Sequence, residues 1–152
     1  MGSNFSRNAL IYRHIMILGN IKMLDNQELL EHARKACENA YAPYSNFFVG
    51  ACALYDTGNF YVGCNIENAS YGLTLCAERN AISNAIVAGE KGKLVKVAIF
   101  SKNRSNCMPC GACRQWMAEF KKDKDLQIIL ESEDSKCAIF TIEELLPYGF
   151  EL

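Results

Sequence analysis

Apolar residues recur at Leu29, Ala33, Ala36, Cys37 and Ala40, spaced three and four apart, which predicts a helix with one buried face. Asp25 stands where it can cap that helix, and Glu28 holds the reciprocal position of a capping box. The helix is expected over residues 25–41, stopping before Pro43. Residues 48–55 read as a strand. Asp56-Thr57-Gly58-Asn59 is a turn sequence, and Phe60–Cys64 returns as the second strand of a hairpin. A loop over 65–74 leads to a helix over 76–87, where Ala77, Ala81, Ile82 and Ala85 suit close packing and Gly89 and Gly92 close the element. Residues 94–100 form an apolar run that suits a central strand. A helix is expected over 110–120, then strands over 125–131 and 137–140. Thr141 and Glu144 make a second capping box, opening a short helix that ends at Pro147.

Two hairpin strands followed by strand–helix alternation predict an α/β domain, with a mixed sheet between helices on both faces. Residues 24–152 fit one domain. Residues 1–23 do not share its periodicity and read as an N-terminal extension, with a short helix expected over 9–18. A chain of 152 residues, half of them apolar, is long enough to bury a sizeable core. Sixteen basic against seventeen acidic side chains imply no general affinity for phosphate polymers, so no nucleic-acid partner is expected. Lys91, Lys93, Lys96, Lys102 and Arg104 crowd one stretch, as a solvated rim or a local basic patch. No secretory leader and no membrane span are expected. Free or metal-bound thiols point to a reducing, cytoplasmic setting.

The cysteines carry the strongest chemical signal. Pro109-Cys110-Gly111-Ala112-Cys113 places two thiols C-x-x-C at a predicted helix start, a spacing that can hold one ion. Cys76, which opens the earlier helix, is the third candidate ligand. Three protein ligands leave the fourth tetrahedral position of a zinc ion open for water, as catalysis requires. Other chemistries use such cysteines. Cys107, Cys110 and Cys113 read as C-x-x-C-x-x-C, the start of an iron–sulfur pattern whose last cysteine is missing. Cys107 as a fourth ligand would close a structural zinc site, and C-x-x-C alone can be a redox pair. Cys37, Cys52, Cys64 and Cys137 lie in apolar or strand contexts and read as core residues.

Glu78 separates a catalytic from a structural site. Two residues beyond Cys76 on the first helical turn, it can reach a water in the open position without being a ligand. Its alternative role is that of an acidic residue favoured by the helix dipole. Hydrolytic deamination needs one carboxyl that moves protons from water to a ring nitrogen and to the departing amine. Three thiolates and one Zn²⁺ leave one surplus negative charge. Two helix N-termini would offset part of it, and Arg79 could donate to the sulfurs or serve as an ordinary surface arginine.

At these residues the sequence resembles the cytidine deaminase family, the small homotetrameric type. Cys76-Ala77-Glu78-Arg79 and Pro109-Cys110-Gly111-Ala112-Cys113-Arg114-Gln115 look like its paired zinc motifs. Phe47-Phe48-Val49-Gly50-Ala51, the segment from Gly63 to Gly72, and Leu145-Leu146-Pro147-Tyr148-Gly149-Phe150 are similar to further family segments. The resemblance implies a three-layer α-β-α fold with a mixed five-stranded sheet. It also implies one Zn²⁺ per subunit on Cys76, Cys110 and Cys113, with Glu78 as the acid–base. Phe47 would pack on the pyrimidine, Asn65 and Glu67 would bond the ribose 3′-hydroxyl, and Ala77 would meet the base through its backbone. Tyr71 and Phe150 match positions through which neighbouring subunits of a homotetramer complete each pocket. Phe48 and Cys52 depart from the residues more usual at their positions.

The reaction implied is deamination of cytidine or 2′-deoxycytidine to the corresponding uridine, with release of ammonia, as a pyrimidine-salvage step. Two other functions use the same cysteines: a blasticidin-S-type antibiotic deaminase, and a zinc-stabilised domain without catalysis. No glycine-rich loop for a 5′-phosphate is visible.

Overall fold

A computed structural model of the chain describes residues 23–150. The short helix expected over 9–18, and all of the extension except Met23, lie outside the described residues. Strands β1 (Val49–Tyr55), β2 (Phe60–Cys64), β3 (Leu94–Ser101), β4 (Gln127–Glu131) and β5 (Cys137–Thr141) form one sheet in the order β2-β1-β3-β4-β5. β3 and β4 are parallel; the other neighbours are antiparallel. The parallel pair follows from its connection, because α3 (Gly111–Phe120) is a crossover long enough to return the chain in the same direction. With α1 (Asn26–Cys37), α2 (Ala77–Val87) and a terminal α4 (Ile142–Leu145), the result is an α/β fold in three layers around a mixed five-stranded sheet.

Strand alternation divides the interior into two cores. Ala51, Ala53, Val97, Ile99, Ile128 and Leu130 face α2 and α3, where Ala77, Ala81, Ile82, Ala85 and Met117 meet them. Cys52, Leu54, Ala98, Phe100 and Ile129 face α1, where Leu29, Leu30, Ala33 and Cys37 cover them. Two glycines permit this close layering. A Cβ at Gly50 would lie 2.0 Å from the Ala33 carbonyl oxygen, and one at Gly63 would lie 2.4 Å from the Ala81 nitrogen. Asn80 and Asn84 of α2 donate to the carbonyls of Cys64 and Val62 at 2.8 and 2.9 Å, satisfying acceptors of the edge strand β2.

Both predicted capping boxes are present, Asp25 with Glu28 and Thr141 with Glu144. Element ends differ where long-range bonds compete. α1 ends at Cys37 rather than near residue 41, because Tyr41 gives its N–H to the Asn65 carbonyl and accepts from Glu67 N–H. β1 starts at Val49 rather than 48, because side chains of Asn103 and Ser101 take the Phe48 N–H and carbonyl. Asp125 stays outside β4, its N–H turned to the Asp123 carboxylate.

Where the β1–β2 turn meets the start of β3, Glu90 is buried and accepts from Thr57 Oγ1, Asn59 Nδ2 and Tyr61 OH, and from the Lys91 and Gly92 N–H groups. Burial pushes its carboxyl up, but the donors outweigh this and hold it below the ordinary value. It therefore pins the β1–β2 turn to the start of β3. The stabilisation is present at neutral pH and is lost as pH falls through the ordinary carboxylate range toward the lower folded value. Glu90→Gln should cost about 1–3 kcal/mol at pH 7 and flatten the acid limb of a plot of urea-unfolding stability against pH. An unchanged acid limb would show that Glu90 does not provide this linkage.

Candidate active site

Gly50 pairs with both Cys64 and Phe100, so the start of β1 and the ends of β2 and β3 lie side by side. The segments carrying the predicted site residues leave the sheet at this end. Ile66 and Leu75 exchange backbone bonds of 2.9 Å in both directions. This pairing brings Cys76, the next residue, beside the 65–67 segment.

Cys76 and Cys110 are the N-cap residues of α2 and α3. Neither side chain caps its own helix, although that position usually uses a side-chain oxygen for the purpose. The sulfurs instead converge. With Cys113, one turn into α3, they form a group of three Sγ atoms within 4.8 Å of one another. Cys76 Sγ and Cys110 Sγ are 3.9 Å apart. A tetrahedral ion bound at about 2.3 Å holds its sulfurs about 3.8 Å apart, so the donor set fits zinc in chemistry and in spacing. Cys107 is outside this group; burial first, then the Glu78 carboxyl, pushes its thiol up to about 11. No disulfide links the described cysteines. Cys37 and Cys52 are buried in the core, while Cys64 and Cys137 are half-buried.

The cluster favours negative charge on Cys76. The Cys113 thiol donates to it, Arg79 adds to the effect, and its value falls to about 5. The same bond pushes Cys113 upward. Arg79 Nη2 lies 3.7 Å from Cys76 Sγ and donates to the Thr74 carbonyl at 3.0 Å. Glu78, on the first turn of α2, is only 4 % exposed. Burial pushes its carboxyl up to about 7, where a carboxyl both accepts and donates protons at neutral pH.

The remaining predicted residues are placed in several settings. Asn65 and Glu67 hold the 44–49 loop. Asn65 Oδ1 accepts from Val49 N–H at 2.9 Å and its Nδ2 donates to the Phe47 carbonyl at 2.8 Å. Glu67 accepts from the N–H groups of Tyr44 and Ser45 and from the Ser45 hydroxyl. Phe47 is half-buried and belongs to neither core, whereas Phe48 packs on the α1 side. Ala77 is fully buried. Tyr71 and Phe150 are 77 % and 67 % exposed. Gln115 ties the end of the chain to α3 through the Phe150 carbonyl, at 3.0 Å. Sequence reasoning missed Ser101 and Asn103, whose side chains bond the backbone of the 46–48 segment.

A family model described as "Cytidine and deoxycytidylate deaminase zinc-binding region" matches residues 23–129. The cytidine deaminase of Halalkalibacterium halodurans is 43 % identical over 127 residues, covering 84 % of this chain and 95 % of that protein. The crystal structure of cytidine deaminase from Burkholderia pseudomallei superposes with a TM-score of 0.77 at 41 % identity, covering 84 % of this chain and all of that one. The structure of the Mycobacterium tuberculosis cytidine deaminase gives a TM-score of 0.72 at 40 % identity, covering 85 % and 99 % of the two chains.

Removing one sulfur should weaken zinc binding by the cluster. Cys113→Ser is expected to bind zinc more than about 100-fold more weakly, beyond the usual loss for an outer hydrogen-bond partner. Metal analysis and chelator competition on the purified variant would measure this. Retention of one ion per chain at wild-type affinity would exclude Cys113 as a ligand.

Proposed function

Because the chain belongs to the cytidine deaminase family, we propose that residues 24–152 form a catalytic domain converting cytidine and 2′-deoxycytidine to uridine and 2′-deoxyuridine, with release of ammonia, in pyrimidine salvage. The observation that carries this reading is the buried Glu78 carboxyl, two residues from the three-cysteine cluster. Cys76, Cys110 and Cys113 would hold one zinc ion, which when bound supplies the Lewis acidity that makes water a nucleophile near neutral pH.

Glu78 then manages the protons. It takes one from water as the oxygen adds to C4 of the pyrimidine, and passes it to ring N3. It takes the second from the new C4 hydroxyl and delivers it to the departing amine. One carboxyl suffices because it returns each proton it receives. Arg79 donates to the Cys76 sulfur and tempers the charge of three thiolates.

Phe47 packs on the pyrimidine, and Ala77 meets its edge through the backbone. Asn65 and Glu67 receive the ribose 3′-hydroxyl. Asn65 has a second N–H to offer, and Glu67, accepting three bonds from the loop, keeps about one of its roughly four acceptor positions. Recognition at the 3′ position makes no distinction between ribose and deoxyribose.

We also infer a homotetramer in which Tyr71 and Phe150 help close pockets of neighbouring subunits. Their large exposed aromatic surfaces support this, as such side chains are commonly covered in an assembly. Light scattering should give four times the chain mass. Mixed oligomers of the Glu78→Gln and Tyr71→Ala/Phe150→Ala chains should regain turnover that neither parent has. A fully active monomer would overturn the assembly.

For the chemistry, zinc-loaded protein should deaminate cytidine and deoxycytidine, with little action on cytosine, CMP or blasticidin S. Glu78→Gln should keep its zinc and lose about 10³-fold in kcat. Wild-type turnover by that variant would sink the proton-transfer role, and preference for blasticidin S would move the chain to antibiotic deamination.

A further inference from the structure

We propose that Asn103 is a positioning residue for Phe47, holding the aromatic loop at the geometry in which its ring meets the substrate base. The proposal rests on the reading of Phe47 as the residue that packs on the pyrimidine.

Asn103 brackets Phe47 in the chain. Its Oδ1 accepts from the N–H of Phe48 at 2.9 Å, and its Nδ2 donates to the carbonyl of Asn46 at 3.0 Å. One planar amide thus binds the residue before Phe47 and the residue after it. Asn65 grips the same stretch one residue later, through the Phe47 carbonyl and the Val49 N–H. Two primary amides, from the exits of β2 and β3, therefore fix four successive residues, the last three of the loop and the first of β1. Each uses one donor and one acceptor, so neither can slide along the chain without losing both bonds.

Asn103 is itself held. Its N–H donates to Ser101 Oγ at 3.2 Å, while the Ser101 hydroxyl donates to the Phe48 carbonyl at 2.8 Å. Between them, Lys102 Nζ lies 3.7 Å from the centre of the Phe48 ring. Phe48 is thereby anchored through its N–H, its carbonyl and its side chain. The loop needs such anchoring because its backbone is unusual. Asn46 has φ of +54°, a left-handed conformation that asparagine tolerates better than most residues, and no strand ladder includes residues 44–48. Phe47, in neither core, has no apolar packing partner in the two clusters to set its position. Polar bonds to its own N–H and carbonyl and to its neighbours do so instead.

The segment that clamps the loop is also the one that leads into Pro109-Cys110-Gly111-Ala112-Cys113. Asn103 stands seven residues before Cys110 (103 to 110 in the chain). The base-stacking residue and two of the sulfur ligands are thus referred to a single stretch, the exit of β3.

Steady-state kinetics on cytidine with Asn103→Ala, Phe47→Ala and the double variant test this, with zinc content and thermal unfolding measured for each. A residue acting through the ring affects ground-state and transition-state binding alike, so Asn103→Ala should raise KM about tenfold and leave kcat within about twofold. In the Phe47→Ala background the same change should add nothing, because the group it positions is gone. If alanine at 103 lowers zinc content or unfolds the chain, Asn103→Asp carries the test. It has the same shape and keeps the acceptor for Phe48 N–H, but it turns an oxygen toward the Asn46 carbonyl, and its KM should also rise. Phe47→Ala with raised KM, combined with Asn103 effects that are absent or equal in both backgrounds, would overturn the positioning role and leave the stacking role intact. An unchanged KM in Phe47→Ala would overturn the stacking role and this proposal with it.

Discussion

Three cysteine sulfurs a few ångström apart favour the thiolate form only where positive charge meets them. In this chain that charge comes from the starts of α2 and α3, whose N-cap positions are cysteines, and from the Arg79 guanidinium. The rest of the architecture brings those two helix ends together. α2 arrives after the hairpin and lies tightly on β2 and β1, while α3 is the crossover between the parallel strands β3 and β4. A cysteine at an N-cap gives up the oxygen bond that would steady the helix. On the proposed reading the ion restores what the missing cap does not provide. Metal binding and the local order of two helices then become one equilibrium rather than two.

The second organising element is the loop that precedes β1. Its backbone bonds are answered almost wholly by side chains: Glu67 at Tyr44 and Ser45, Asn103 and Ser101 around Phe48, Asn65 at Phe47 and Val49. Asn65 and Glu67 are also the proposed ribose contacts. A group that shapes the wall of a site and also touches the ligand has few conformations to lose on binding, which favours affinity. Glu67 is held below its ordinary value, first by the Ser45 hydroxyl, and so stays ionised as an acceptor across the neutral range.

Periodicity and capping signals revealed most of the fold, because those signals are local. The capping boxes at Asp25 and Thr141, the hairpin turn and all five strands follow from neighbours in the chain. What was hidden depends on distant partners. The end of α1 is decided by Tyr41 meeting Asn65, the start of β1 by Ser101 and Asn103, and nothing near those positions announces it. In the site, the cysteine spacing and the offset of Glu78 from Cys76 were legible because each lies within a single helical turn. Asn103 was not, since a loop asparagine looks the same whether it clamps a distant strand entry or faces water. Glu90 escaped for the same reason: only the fold assembles its donors from the hairpin and the following loop.

The tight layering at Gly50 and Gly63 has a consequence for how this molecule can change over generations. Exposed positions on α1, such as Gln27 and Lys35, have no core packing among the described residues to restrict their residue type. At these two glycines even a methyl group would strike the backbone of the helix above, Ala33 in one case and Ala81 in the other. Lifting α2 off the sheet would carry Cys76 and Glu78 with it. Drift at Cys76 and Glu78 is therefore restrained partly by Gly63, a residue that possesses no side chain.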